Sequence, residues 1–176
     1  RLQRIVRQTA KQVFKSVQLD IVGEEIPVDA ELLERIVEPL AHLLRNAIDH
    51  GIETPEQRLG AGKPETGRII LRVGLQGDAA MIELQDDGRG LDLDAIRMRA
   101  VAIGLLGADQ IADERQLTRL ILLPGFSTRS TASEVSGRGI GMDVVNQRIA
   151  ALRGVLTINT ESGRGTRVQM RLPVTQ

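Results

Sequence analysis

The chain has 176 residues, 41% of them hydrophobic, which is enough to bury one sizeable core, so we expect a single domain over residues 1–176. Its 23 basic and 23 acidic residues give a net charge of zero and only Phe14 and Phe126 are aromatic, which disfavours nucleic-acid binding. The absence of cysteine, of a signal peptide and of any apolar run near ~18 residues favours a cytoplasmic protein with no segment inserted in a membrane.

The N-terminal part of the chain predicts a helix, a strand and a longer helix. Residues 1–16 have a helical apolar pattern, residues 18–23 favour a strand, and a long helix is predicted over residues 30–50. Pro39 lies inside this helix, where it would kink or restart it. Residues 54–67, TPEQRLGAGKPETG, contain two prolines and three glycines and predict a loop.

The long helix ends in the segment HLLRNAIDHG, residues 42–51, which has one polar flank. His42, Asn46 and His50 are spaced four residues apart and share that flank, with Asp49 beside them. Magnesium prefers oxygen ligands, keeps several waters, and is usually held by one or two protein oxygens plus the phosphates of its nucleotide. The amide oxygen of Asn46 is therefore a candidate magnesium ligand.

A second polar segment, DDGRG at residues 86–90, follows a pair of predicted antiparallel strands joined near Gly77. Asp86 would end its strand pointing at a pocket, where a carboxylate can accept a hydrogen bond from the exocyclic amine of adenine. Gly88 and Gly90 permit the tight backbone and close approach that a planar ligand needs. Taken alone, DDG is more typical of a hairpin turn.

Two short helices are predicted next, over residues 93–103 and 108–122. The following stretch, residues 127–136, is rich in Ser, Thr, Arg and Glu and has few apolar anchors. We expect a mobile nucleotide lid over residues 125–138, with Phe126 as its anchor. A plain solvent loop with one buried Phe is the alternative.

The third glycine-rich segment, SGRGIGM at residues 136–142, precedes a helical pattern. Its glycines would let consecutive backbone N–H groups face phosphates at the helix N-terminus, where the helix dipole favours anions. A closing hairpin around Gly163 completes the chain. Strands and helices in separate runs indicate an α+β sandwich, with helices packed on one face of a mixed, mostly antiparallel sheet.

The three segments in this order resemble the N, G1 and G2 boxes of the ATP-binding catalytic domain of sensor histidine kinases. That superfamily, called GHKL or HATPase, includes gyrase, Hsp90 and MutL and has the Bergerat ATP-binding fold. HLLRNAIDHGIE, PGFST at residues 124–128 and SGRGIGMDVV at residues 136–145 resemble its chemotaxis branch, the CheA family. The resemblance covers roughly residues 20–173 and implies ATP and Mg²⁺ as cofactors.

This resemblance implies roles for individual residues. Asn46 would chelate magnesium, Asp86 would bind adenine, and Thr166 would close the adenine side of the pocket. The residues implied to bind the nucleotide are Arg45, Asn46, Asp49, His50, Asp86, Gly88, Gly90, Ile96, Arg99, Phe126, Ser127, Gly137, Arg138, Gly139, Ile140, Gly141, Met142 and Thr166. For Arg45 the alternative role is an exposed charge on the helix, and for His50 it is a cap on the helix C-terminus.

His42 is the candidate catalytic residue. Gyrase and Hsp90 relatives carry a water-activating Glu at this position, whereas the chemotaxis kinases carry His. Phosphoryl transfer to a histidine nitrogen needs positioning and charge stabilisation more than an activated water. We expect His42 to be a base or an orienting hydrogen-bond donor, and a satisfied surface histidine is the alternative.

The chain departs from the family pattern after the second segment. Family members often carry Lys at the position of Ala95 and another basic residue near Arg99. Arg99 would then contact the phosphates alone, or Arg97 would turn in to help. For Arg97 a solvated charge on an amphipathic helix is the more usual role.

The resemblance implies a kinase domain that transfers the γ-phosphate of ATP to a histidine on a phosphotransfer domain of the same or a partner chain. Only His42 and His50 are present and both map to the nucleotide site, so we expect no autophosphorylation of the isolated chain. The start at Arg1, without Met, indicates a fragment of a longer kinase. That parent would dimerise through another domain, act on a response regulator, and join membrane receptor complexes through receptor and coupling proteins.

Two other functions stay open. An ATPase clamp like gyrase or MutL would need the Glu that His42 replaces, and usually a following transducer domain. A degenerate, non-catalytic nucleotide-binding module is disfavoured by Asn46, Asp86 and the glycine loops. Ala95, which stands where the family often carries Lys, is compatible with such a module.

Overall fold

A computed structural model describes residues 1–23, 30–126 and 141–173 of the chain. Its strands are β1 (Val17–Val22), β2 (Gly67–Gln76), β3 (Ala79–Asp86), β4 (Val155–Glu161) and β5 (Gly165–Pro173). Its helices are α1 (Leu2–Gln12), α2 (Ala30–Asn46), α3 (Pro55–Gly60), α4 (Leu93–Ala102), α5 (Glu114–Leu120) and α6 (Met142–Ala151).

The five strands form one sheet in the order β1-β2-β3-β5-β4. β1 pairs in parallel with β2, whereas the three other neighbouring pairs are antiparallel. The predicted strand pair before the second motif and the predicted closing hairpin are both present. The predicted mixed, mostly antiparallel sheet is therefore confirmed.

Helices cover one side of this sheet. Successive side chains of a strand point to opposite faces, so each strand turns alternate residues toward the helices. Every strand contributes buried apolar residues to the covered side: Leu19, Ile69, Leu84, Leu156 and Val168. They pack in one core with buried residues of α1, α2 and α6. The other side is polar, and on it Arg72 of β2 and its cross-strand neighbour Glu83 form an ion pair at 2.7 Å. The predicted sandwich is confirmed.

The long second helix changes its geometry at the first motif. α2 runs through the buried Pro39 and ends at Asn46, and a π-helical turn, Ala47–Gly51, follows directly. The predicted α-helix to His50 is therefore α-helical only as far as Asn46. π-turns of this kind often occur at functional sites.

The loop predicted over residues 54–67 is wrong in part, because it contains α3. Thr54 and Gln57 form a capping box, in which each side chain bonds the backbone N–H of the other. Pro55 stands at the first helical position, where its fixed φ suits a helix and its missing N–H costs nothing. The glycines and Pro64 signalled the turn after this helix but hid the helix itself.

The helix predicted over residues 108–122 is also shorter than expected, since α5 begins only at Glu114. Asp113 and Gln116 form a second capping box, which fixes the helix start. Ala100, Ile121 and Phe126 form a small second core between α4, α5 and the segment after α5. In the described part of the chain no helix is both long and apolar enough to cross a bilayer.

Candidate functional site

The first two motifs meet through their backbones. The carbonyl of Gly51 accepts a hydrogen bond from the N–H of Arg89 at 2.9 Å. A Cβ atom on Gly88 would lie 2.3 Å from the same carbonyl oxygen, so this position has no room for a side chain. Sequence reasoning assigned Gly88 to close approach of a ligand, whereas the atom that approaches here belongs to the first motif.

Asp86 ends β3 and points toward that junction. The Gly88 N–H donates to its Oδ1 at 2.8 Å, and a Cβ atom on Gly51 would lie 3.6 Å from its Oδ2. Burial raises the pKa of Asp86 to about 6, while hydrogen bonds from the Gly88 and Thr166 backbones oppose the shift and the charges of Asp87 and Glu53 add to it. A partly buried carboxylate with a pKa shifted this far is typical of a functional group.

The start of β5 packs tightly against the end of β3. Gly165 has φ +122°, and a Cβ atom there would lie 1.9 Å from the carbonyl oxygen of Asp86. Buried Thr160 joins this region together, because its Oγ1 accepts from the Leu91 N–H at 2.8 Å and lies 3.1 Å from Oγ1 of Thr166. Thr160 was not predicted from the sequence, where it is one threonine in a strand with no motif around it.

Gly90, the other glycine of the second motif, also packs closely against backbone. Its φ of +80° is in the left-handed region, and a Cβ atom there would lie 2.6 Å from the carbonyl oxygen of Glu161. As with Gly88, protein backbone occupies the space that a side chain would need.

The first motif also reaches the described end of the third. Nδ2 of Asn46 contacts Sδ of Met142 at 3.8 Å, which leaves the amide oxygen as the group that could bind a cation. Met142 is the first residue of α6, and Gly141, its N-cap, provides no side chain to cap the helix. Uncapped N–H groups at a helix N-terminus form a favourable site for phosphate.

Two contacts hold the predicted start of the lid. The buried side chain of Phe126 packs in the second core, and its carbonyl accepts from Nε of Arg99 at 3.0 Å. The N–H of Gly125 donates to Oδ2 of Asp143, in the first turn of α6, at 3.1 Å. Arg99 therefore links α4 to Phe126, at the start of the predicted lid.

The other predicted residues of α4 lie around this contact. Ile96 packs against the second core. Arg97 donates to the carbonyl of Gln110 in the loop beyond α4, as an ordinary surface arginine would. Ala95 is exposed in the first turn of the helix, where its N–H donates to Oδ1 of the N-cap Asp92 at 3.0 Å.

His42 and Arg45 are half-buried on α2, whereas Asp49 and His50 lie in the π-turn that follows it. His50 is 59% exposed, and its Nε2 lies 3.4 Å from Oδ2 of Asp49. That Oδ2 atom is buried and makes no hydrogen bond within the described residues. A buried carboxylate oxygen that makes no hydrogen bond is suited to accept one from a ligand or from water bound to a cation.

Five predicted binding residues lie outside the described residues: Ser127, Gly137, Arg138, Gly139 and Ile140. The same holds for the predicted lid from residue 127 onward. Their roles stay predictions.

Sequence reasoning missed Lys15, whose ammonium group binds the end of the first motif. Nζ of Lys15 donates to the carbonyls of Ile48 and Asp49 in the π-turn, at 2.7 and 2.8 Å. Burial lowers the pKa of Lys15, and the nearby charge of Arg89 adds to that effect. Lys15 lies in the short segment between α1 and β1, and nothing in its local sequence indicates these distant partners.

Comparison with known families agrees with this geometry. Residues 31–176 match the family described as histidine kinase-, DNA gyrase B-, and HSP90-like ATPase, and the chain belongs to that family. The structural search found the histidine kinase domain of the Erythrobacter litoralis EL346 blue-light activated histidine kinase, with a TM-score of 0.56 at 17% identity. That match covers 98% of this chain and 59% of the other, and it supports the fold.

Curated relatives place the similarity in the chemotaxis branch, as predicted. The chemotaxis protein CheA of Klebsiella aerogenes is 45% identical over 175 residues, covering 99% of this chain and 27% of the relative. The gliding motility regulatory protein of Myxococcus xanthus is 44% identical over 172 residues, covering 97% and 22%. CheA of Bacillus subtilis is 39% identical over 177 residues, covering 99% and 26%. The chain spans about a quarter of the length of these relatives.

Proposed function

We propose that this chain is the catalytic domain of a chemotaxis-type histidine kinase, which binds Mg-ATP and transfers its γ-phosphate to a histidine on a separate phosphotransfer domain. The observation that carries the proposal is the convergence of the first two motifs with Met142, in the described end of the third. Gly51 contacts Arg89, and Asn46 contacts Met142, so that the polar flank of α2 lies between the base-side carboxylate and the N-terminus of α6.

In this proposal each end of the nucleotide has its own partner. The carboxylate of Asp86 accepts a hydrogen bond from the adenine amine, which replaces part of the hydration that burial removes. The N-terminus of α6 binds phosphate oxygens through its N–H groups and dipole. The Thr166 hydroxyl, held by Thr160, closes the adenine side.

The described residues fit a magnesium ion. The amide oxygen of Asn46 and the buried Oδ2 of Asp49, which has no hydrogen bond among the described groups, are the hard oxygen donors that this cation prefers. When bound, the cation would neutralise charge on the β- and γ-phosphates. Asn46 would ligate it directly, and Asp49 would ligate it or orient its water.

His42 is proposed to act on the γ-phosphate side. It lies on α2, one helical turn before Asn46, and is half-buried. An imidazole can hold a hydrogen bond to the transferring group, or a proton from the accepting histidine, without activating water as Glu would. A histidine rather than a glutamate at position 42 therefore favours kinase activity over the ATPase activity of a gyrase-like protein.

The parent protein is proposed to be a homodimer in the cytoplasm that acts on a response regulator and joins receptor complexes through coupling proteins. The similarity of this chain to about a quarter of each CheA relative supports this proposal for the parent protein. No residue described here is assigned to those contacts.

Incubation with radiolabelled ATP tests the proposal. The chain alone should take up no acid-labile label, and a phosphotransfer domain from a related chemotaxis kinase should become labelled only when the chain and Mg²⁺ are both present. Label on His42 or His50 of the isolated chain would contradict the proposed separation of kinase and acceptor. Failure to label any such domain, despite nucleotide binding, would instead favour a non-catalytic module.

A further inference from the structure

Arg58 of α3 is completely buried, which is unusual for a guanidinium group. Its Nη1 donates to Oε1 of Glu53 at 2.9 Å, and its Nη2 donates to Oδ2 of Asp87 at 3.0 Å. Its Nε donates to the carbonyl of Pro64 at 2.7 Å. Burying a charge is costly unless it is paired and hydrogen-bonded, and here each of the three nitrogens of the fork has a partner.

Lys63, in the turn after α3, completes the same network. Its Nζ donates to Oε2 of Glu53 at 2.6 Å and to the carbonyls of Asp87 and Gly88 at 3.0 and 2.9 Å. An ammonium group has three donors, and all three are used. Burial alone would raise the pKa of Glu53, but the hydrogen bond from Lys63 and the charges of Lys63 and Arg58 lower it below its ordinary value.

These contacts converge on the two residues that directly follow Asp86. Besides Lys63 and Arg58, Asp87 is held by the N–H of Arg68, which donates to its Oδ1 at 2.9 Å. Gly88 also packs against the carbonyl of Gly51, whose oxygen would lie 2.3 Å from a Cβ atom at this position. The loop after β3 is therefore held between the first motif and the cations from α3 and its following turn, and the Gly88 N–H in that loop donates to Oδ1 of Asp86 at 2.8 Å.

We infer that Lys63 and Arg58 are positioning residues for the base-binding carboxylate of Asp86, acting through the backbone of Asp87 and Gly88. This inference rests on the proposed function, in which Asp86 binds the adenine amine. Neither cation touches the nucleotide. Loss of the Lys63 and Arg58 contacts lets the loop after β3 shift. This shift weakens recognition of the adenine amine far more than recognition of phosphates at the N-terminus of α6.

Paired calorimetric titrations separate this role from a purely structural one. The ligands are Mg-ADP and the diphosphate of purine riboside, which lacks only the 6-amino group. The unmodified chain should prefer ADP, and Lys63→Gln should reduce that preference about tenfold, the size expected for one hydrogen bond to a charged group. Lys63→Arg should restore part of it. Arg72→Gln, which removes an ion pair on the polar side of the sheet, is the matched control and should keep the full preference.

Amide hydrogen exchange without nucleotide provides a second readout. The N–H groups of Gly88 and Arg89, which bond Asp86 and Gly51, should exchange faster in Lys63→Gln and in Arg58→Lys than in the unmodified chain. Lys63 is 18% exposed at its side chain, so its variants should fold even if Arg58 variants do not.

The outcomes are distinguishable. If the unmodified chain prefers ADP while Lys63→Gln keeps the same preference and the same amide exchange, the inference is overturned and the proposed function stands. If the unmodified chain binds neither ligand, the proposed function fails and the inference fails with it. If it binds both equally, Asp86 does not read the amine, and the inference is again overturned.

Discussion

The carbonyl of Gly51 accepts a hydrogen bond from the N–H of Arg89 at 2.9 Å, and this single bond joins the end of the first motif to the second. The peptide unit of Gly51 also fills the space that a side chain at Gly88 would need. The end of the first motif and the loop that follows Asp86 are therefore held against each other.

Gly88→Ala should damage that junction. The new Cβ would meet backbone atoms of Gly51, at 2.3 Å from the oxygen and 2.5 Å from the carbon, and backbone cannot move aside as a flexible side chain can. We expect a loss of about 1–3 kcal/mol in the free energy of unfolding, as for other overpacking substitutions. Urea denaturation followed by circular dichroism measures it. Gly60→Ala in α3, where no atom lies within 4 Å of the new Cβ, is the control. Equal stability of the two variants would contradict the clash.

Asp86→Asn should stabilise the chain in the absence of nucleotide, and do so increasingly as the pH rises. A folded pKa near 6, raised from 3.8 by burial, favours the protonated form. The associated stability is present below pH ~4 and is lost as the pH rises through 6, a difference of up to about 3 kcal/mol. Asn removes this cost. Denaturation at pH 4 and pH 7.5 should show a gain only at the higher pH, and an equal gain at both would contradict the assigned pKa.

Arg58→Met should be destabilising, because it removes the cation from Asp87 and leaves Glu53 with Lys63 alone. We expect a loss of about 1–3 kcal/mol, since Lys63 still pairs with Glu53 and Asp87 is half-exposed, so neither carboxylate becomes a lone buried charge. Arg72→Met removes a half-exposed pair instead and should cost about 0–1 kcal/mol. Thermal unfolding of both variants at neutral pH makes the comparison. Similar small losses would show that the buried network contributes little to stability.

His42→Gln should separate binding from catalysis. Glutamine keeps a hydrogen-bonding group of similar size but cannot take up a proton, so affinity for Mg-ATP should stay within about twofold while phosphoryl transfer falls about 10²–10⁴-fold. Labelling of an added phosphotransfer domain, measured beside calorimetric affinity, tests this. Unchanged transfer would leave His42 as an ordinary half-buried histidine.

The sequence predicted the sheet and most of the helices because alternation and helical periodicity mark elements that pack on one core. It missed α3 because Gly60, Gly62 and Pro64 signal a turn so strongly that the short capped helix before it is hidden. The three motifs were visible as local patterns. Thr160, Lys15 and Lys63 were not, since their roles depend on partners that only folding brings together, and one threonine or lysine in isolation predicts no contact.

The direct test of the central claim is calorimetric titration of the chain with a non-hydrolysable ATP analogue, with and without magnesium, beside Asp86→Asn and Asn46→Ala. We expect binding that magnesium strengthens, that Asp86→Asn weakens by about tenfold or more, and that Asn46→Ala makes independent of magnesium. Absence of binding to the unmodified chain, or equally tight binding to Asp86→Asn, would contradict the assignment of this site to Mg-ATP.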